Sequence, residues 1–183
     1  MTSGVGRLID AKFDSLVDAQ KVLAAQTFDR ASEKVRVSKK PLTANVTARI
    51  VIEVMNNSST ETDPLLRELW ANLLAEEFVS GKVHPEFPKI LVRLSPRDAQ
   101  TLARIAQQST SKDLSSRLRI NSLLATFSVF GVDLQLKQVS SFVHEHLQNL
   151  GLVKRGGGDW ALSLIGAEFL RTVGGDLAGP GSP

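Results

Sequence analysis

The 183 residues predict a mostly α-helical fold, a helical array followed by a winged-helix-like module with a small β-hairpin. Three observations carry that prediction. Apolar residues recur at three- and four-residue steps along most of the chain from Val5 to Ala106. Two cap-plus-proline pairs, Asp63-Pro64 and Ser95-Pro96, mark helix starts. The last third runs helix, two short apolar segments around a glycine turn, helix.

Residues 1–40 read as one long N-terminal helix, with Ile9, Phe13, Leu16, Ala19, Leu23, Phe28, Ala31 and Val35 on its apolar side and Lys39, Lys40 and Pro41 ending it. Unbroken, such a helix spans about 45 Å, long for a small globule. It either packs along the rest of the chain or supplies the stripe a partner helix needs, so a protein partner or a homo-oligomer through this helix is expected.

Residues 41–94 form a helical core region. Thr43 to Asn57 places Val46, Ile50, Val51, Val54 and Met55 at helical spacing, although the β-branched residues leave a strand open. Asn56 to Thr60 is a polar turn. Asp63 and Pro64 then open the clearest helix, with Leu65, Leu66, Leu69, Trp70, Leu73, Leu74 and Phe78 as its stripe and Gly81 as its stop. His84-Pro85 starts a short helix that turns Phe87, Ile90, Leu91 and Leu94 inward.

Residues 95–173 are the winged-helix-like module. Ser95-Pro96 opens a helix with Ala99, Leu102, Ala103 and Ala106 on one face, and Ser109 to Ser116 reads as loop. Leu118 to Val132 fits either a helix or a strand. Val139 to Leu150 carries Val139, Phe142, Val143, Leu147 and Leu150 as a helical stripe closed by Gly151. Leu152-Val153 enters a strand, Lys154, Arg155 and three glycines make the turn, and Trp160, Leu162 and Leu164 alternate on the return. A last helix holds Phe169, Leu170 and Val173, and residues 174–183, rich in glycine and proline, read as a disordered tail.

Composition removes several function classes. The absence of cysteine excludes disulfides, a thiolate zinc site and a cysteine nucleophile. The net charge of +3 divides into +3 for residues 1–40, −2 for 41–94, +3 for 95–140 and −1 for 141–183. No block of like charge marks a polyanion-binding tail. The longest apolar stretches, Ile50 to Met55 and Leu123 to Val132, fall short of the roughly 20 residues of a membrane span. With no secretion signal at the N-terminus, a cytoplasmic protein is expected.

Together the segments resemble the Abi-alpha family of bacterial proteins, named for abortive infection. The resemblance rests on Asp63 to Ala75, on Val83-His84-Pro85-Glu86-Phe87, and on Ile90 to Leu94 followed by Ser95-Pro96-Arg97-Asp98-Ala99. It continues in Leu147-Gln148-Asn149-Leu150-Gly151-Leu152-Val153 and in Leu162-Ser163-Leu164-Ile165-Gly166. Ser163 stands where threonine is usual in the family, and the hairpin turn is shorter than in many members. The resemblance implies anti-phage defence and brings no established catalytic residue.

The motif residues Asp63, Pro64, Trp70, Asn72, His84, Pro85, Ser95, Pro96, Asn149 and Gly151 are expected to serve structure: caps, stops and core packing. His144 and His146 stand two apart, so they point about 200° apart on a helix and cannot share a metal. No nucleophile elbow, phosphate-binding loop or zinc-protease signature occurs. Glycines 156–158 lead into a strand and not into a helix N-terminus, which makes them a turn. Asp133, Gln135 and Lys137, with Asp113 upstream, alternate as in a metal-dependent nuclease strand but lack a carboxylate at 135. No catalytic residue, metal or cofactor is therefore expected, and the chain is not expected to be an enzyme.

A nucleic-acid surface is the sharper candidate. Ser140, Ser141, His144 and Gln148 lie opposite the apolar stripe of their helix, with Lys154 and Arg155 at the wing. Glu145 on the same face repels phosphate. The reading that results is a non-enzymatic anti-phage protein acting through protein partners or self-association. The alternative is a winged-helix DNA-binding transcriptional regulator.

Overall fold

The computed structural model describes residues 4–109, 141–156 and 159–174. Among them are eight helices and one two-stranded antiparallel hairpin, so the fold is mostly α. The chain divides into two compact units, Met1–Val92 and Arg93–Pro183.

The first unit holds α1 (Gly4–Asp14), α2 (Asp18–Ser38), α3 (Ala48–Ser58), α4 (Pro64–Ser80) and α5 (Glu86–Leu91). Helix α4 is its centre. Asp63 starts it by accepting the Leu65 and Leu66 N–H groups at 2.9 and 3.0 Å, and Pro64 takes the first helical position, where no N–H is needed. Trp70, Leu69, Leu73 and Leu74 are fully buried, and so are Ala71 and Ala75 on the other sides of the helix. A helix apolar nearly all round must be wrapped by others. Helix α2 packs along it with a narrow face of Ala24, Thr27, Ala31 and Val35, and α3 adds Ile50, Val51, Val54 and Met55. Each large side chain buried here contributes roughly 1.5–3 kcal/mol. Gly81 ends α4 at φ +61°, and a Cβ there would stand 2.7 Å from the Asn45 carbonyl oxygen, so both conformation and space require glycine.

The second unit holds α6 (Pro96–Ser109), α7 (Ser141–Asn149), β1 (Val153–Gly156), β2 (Asp159–Leu162) and α8 (Leu164–Val173). The strands pair from Val153 opposite Leu162 to Gly156 opposite Asp159. Its core gathers Ala99, Leu102, Ala103, Ile105 and Ala106 from α6, Val143 and Leu147 from α7, and Phe169, Leu170 and Val173 from α8. Leu150 and Leu152 close it around Gly151, which turns the chain at φ +72°.

Four sequence expectations are corrected. Lys154, Arg155 and Gly156 do not belong to the hairpin turn: they continue β1, paired opposite Ala161, Trp160 and Asp159. The N-terminal period is two helices, not one. Its apolar steps continue through the break, but Ser15 bonds back to the Lys12 carbonyl at 2.6 Å, and Gln20 accepts the Val17 N–H to start α2 afresh. Leu164 is not on the return strand. The Ser163 hydroxyl accepts the Gly166 N–H at 2.9 Å, making residue 163 the N-cap of α8 and leaving Leu164 86% exposed. Phe142 lies outside the α7 core stripe, 73% exposed, its ring stacked on His146 one turn later. Thr43 to Asn57 resolves as helix from Ala48 onward. The 118–132 segment, Asp113, Asp133, Gln135, Lys137, Ser140 and the tail beyond Gly174 lie outside the described residues.

Candidate functional site

The motif on α4 surrounds two buried carboxylates that periodicity did not single out. Glu77 is completely buried. Its Oε1 accepts the Thr47 N–H at 2.6 Å ahead of α3, and its Oε2 accepts the Val83 N–H at 3.1 Å beyond the end of α4. One side chain thereby ties both flanking segments to the central helix. Glu68 faces α2, where Lys34 Nζ lies 2.5 Å and Arg30 Nε 3.1 Å away. Burial alone would raise its pKa, but the hydrogen bonds and charges of Lys34 and Arg30 outweigh it and hold the carboxyl below its ordinary value. The signal for Glu77 was its place three and seven residues after Leu74 and Trp70, on the apolar stripe itself.

Trp70 and Asn72 are buried on α4. His84 is exposed, and its Nδ1 accepts the Glu86 N–H at 3.2 Å just before α5, behind Pro85. Ser95 and Asp98 form a reciprocal cap ahead of Pro96: Asp98 accepts the Ser95 N–H and hydroxyl at 2.8 and 2.7 Å, and Ser95 Oγ accepts the Asp98 N–H at 3.2 Å. Asn149 is the last residue of α7 and Gly151 makes the turn that follows.

The nucleic-acid candidates are partly brought together. Ser141 and Gln148 are exposed on α7, and Lys154 and Arg155 are exposed on β1. His144 stacks on Trp160 with ring centroids 4.9 Å apart, and the Arg155 guanidinium lies 5.1 Å over the same ring. Trp160 therefore joins α7 to the hairpin, and His144 and Arg155 spend a face on it. His146 points elsewhere, its Nε2 3.0 Å from the Arg93 carbonyl oxygen.

A groove opens on the first unit between α1, α2 and α3. Ile9, Phe13, Ala25, Phe28 and Met55 make its apolar lining, Asp10, Asp14 and Asp29 its polar rim, and its volume is about 500 Å³. No cluster of three His, Asp or Glu suited to a metal ion occurs among the described residues. No helix among them is long and apolar enough to cross a membrane.

The model of one protein family, abortive infection alpha, matches residues 19–168. The chain belongs to the abortive infection alpha family. Comparison with curated proteins and with solved structures gives no match. In this abortive infection alpha protein the matched span takes in the α4 carboxylates, the Ser95–Asp98 cap and the Trp160 stack, while α1 precedes it. Membership suggests a role in abortive infection, the bacterial response that stops phage propagation.

Proposed function

We propose that the protein is a non-enzymatic component of bacterial abortive infection, working in the cytoplasm through protein partners or self-association. The family match over residues 19–168 is the observation that carries this reading. The N-terminal helices support the mode of action: Leu8 and Val22 expose more than half their surface on α1 and α2, the helices that also wall the open groove. The buried carboxylates Glu68 and Glu77 are committed to ion pairs and backbone donors, which fits scaffolding better than proton transfer. The test is phage plating on a susceptible host: fewer plaques with the protein than with an empty vector is the expected result, and unchanged plating overturns the reading.

A second reading, a winged-helix-like DNA-binding regulator, draws on Lys154 and Arg155 exposed side by side on β1. It requires a mobility shift of duplex DNA at low salt that weakens when both are changed to Ala. No shift with the wild-type protein removes it.

A further inference from the structure

We propose that the groove between α1, α2 and α3 docks the apolar face of a basic amphipathic helix from a partner protein. The inference rests on the partner-mediated reading above and names the class of partner. The groove is chemically two-toned. Its walls are Ile9 and Phe13, one turn apart on α1, and Ala25 and Phe28 on α2, with the buried Met55 of α3 at its floor. Carboxylates stand on both walls: Asp10 and Asp14, also one turn apart, on α1, and Asp29 on α2. All three are exposed, and no ion pair among the described residues engages them. Three aspartates that no such ion pair engages, set on both walls of one apolar opening, leave negative charge there for an occupant to meet from outside.

An occupant must supply apolar side chains to the middle and positive charge to both edges. A helix does this with residues at three- and four-residue steps flanked by Lys or Arg. The volume of about 500 Å³ suits a few aliphatic side chains entering from such a face, not the whole helix. The same carboxylates repel phosphate, so nucleic acid is a poor occupant of this face.

Binding is measured with the full chain by fluorescence anisotropy. The probe is a labelled Leu/Lys peptide of roughly 15 residues, with leucine at helical steps; a Leu/Glu peptide of the same pattern is the control. Saturable binding of the Leu/Lys peptide alone is expected. The exposed triple change D10N/D14N/D29N weakens it about ten-fold or more. Ala25→Phe, which fills the groove from the α2 wall, abolishes it, whereas Val37→Ala, about 18 Å further along α2, leaves it unchanged. Equal binding of both peptides, undiminished binding in both groove variants, or displacement of the peptide by spermidine at equal concentration overturns the proposal, the last by assigning the groove to small organic cations. Phage plating separates this result from the broader reading: protection by wild type together with absent peptide binding sinks the basic-helix assignment alone, and absent protection sinks the defence role whatever the peptide does.

Discussion

In the first unit, polar groups inside the core reach far along the chain. Glu77 on α4 holds Thr47, thirty residues back, and Glu68 holds Arg30, thirty-eight back. In the second unit, beside the long reach of His146 to the Arg93 carbonyl, the buried and capping ties among the described residues are shorter in range. Asp98 caps with Ser95 three residues away, and Ser163 caps its own helix while donating its hydroxyl to the Gly151 carbonyl, twelve residues away. The difference has an energetic meaning. A buried carboxylate that satisfies donors from two segments couples their folding, so its loss strikes the whole unit. A cap satisfies the orphan donors of one helix end, so its loss frays that end.

The strongest test of this contrast is Glu77→Ala. It leaves the Thr47 and Val83 N–H groups without their acceptor and should cost about 3–4 kcal/mol in denaturant unfolding. Glu77→Gln retains one acceptor oxygen and should cost about half as much. A loss below about 1 kcal/mol for the alanine variant would break the coupling argument.

Gly166→Ala is next. A Cβ at Gly166 would lie 2.0 Å from the Leu152 carbonyl oxygen, and backbone on backbone cannot yield cheaply. About 2–3 kcal/mol should be lost, read as a lowered melting temperature. It would sharpen the comparison by showing that the second unit, like the first at Gly81, depends on a close backbone approach, without the buried ion pair that the first adds.

Acid should weaken the first unit through Glu68. Glu68 has a folded pKa below its ordinary value of 4.5, held there against burial by Lys34 and Arg30. Its contribution to stability is therefore complete above the unfolded pKa and disappears as pH falls through the lowered folded value. Unfolding midpoints of the wild type should drop on acidification below 4.5, and Glu68→Gln should flatten that part of the profile. An unaltered acid limb in the variant would show that Glu68 is not the group responsible.

Smaller effects are expected from the local ties. Ser95→Ala removes one half of the reciprocal cap on α6 and should cost about 1 kcal/mol. Arg155→Ala removes the cation over Trp160 and should cost about 0.5 kcal/mol, detectable as a shift in tryptophan fluorescence even where the unfolding midpoint barely moves.

Much of this architecture was legible in the residues because its punctuation is chemical. Asp63-Pro64 and Gly81 bracket α4 in the sequence as they do in three dimensions, and Ser95-Pro96 does the same for the start of α6. The break at residues 15–17 was not legible, since the apolar period runs through it and only the local bonds of Ser15 and Gln20 interrupt the helix. Leu164 and Phe142 misled for a related reason: alternation and helical spacing report which side chains could face a core, not which ones find room there. The motif around Trp70 pointed to the right helix, but its polar meaning lay in Glu68 and Glu77, charged residues that hydropathy counts against burial. The groove was invisible to periodicity because it is assembled from three helices, and its aspartates are spaced like an ordinary solvated face.

The central claim, that this abortive infection alpha protein acts in phage defence, is tested most directly by an infective-centre measurement. Cells expressing it are infected, washed and counted both for release of phage and for survival. The account predicts that few infected cells release progeny and that infected cells do not recover, whereas full phage release from expressing cells would contradict it.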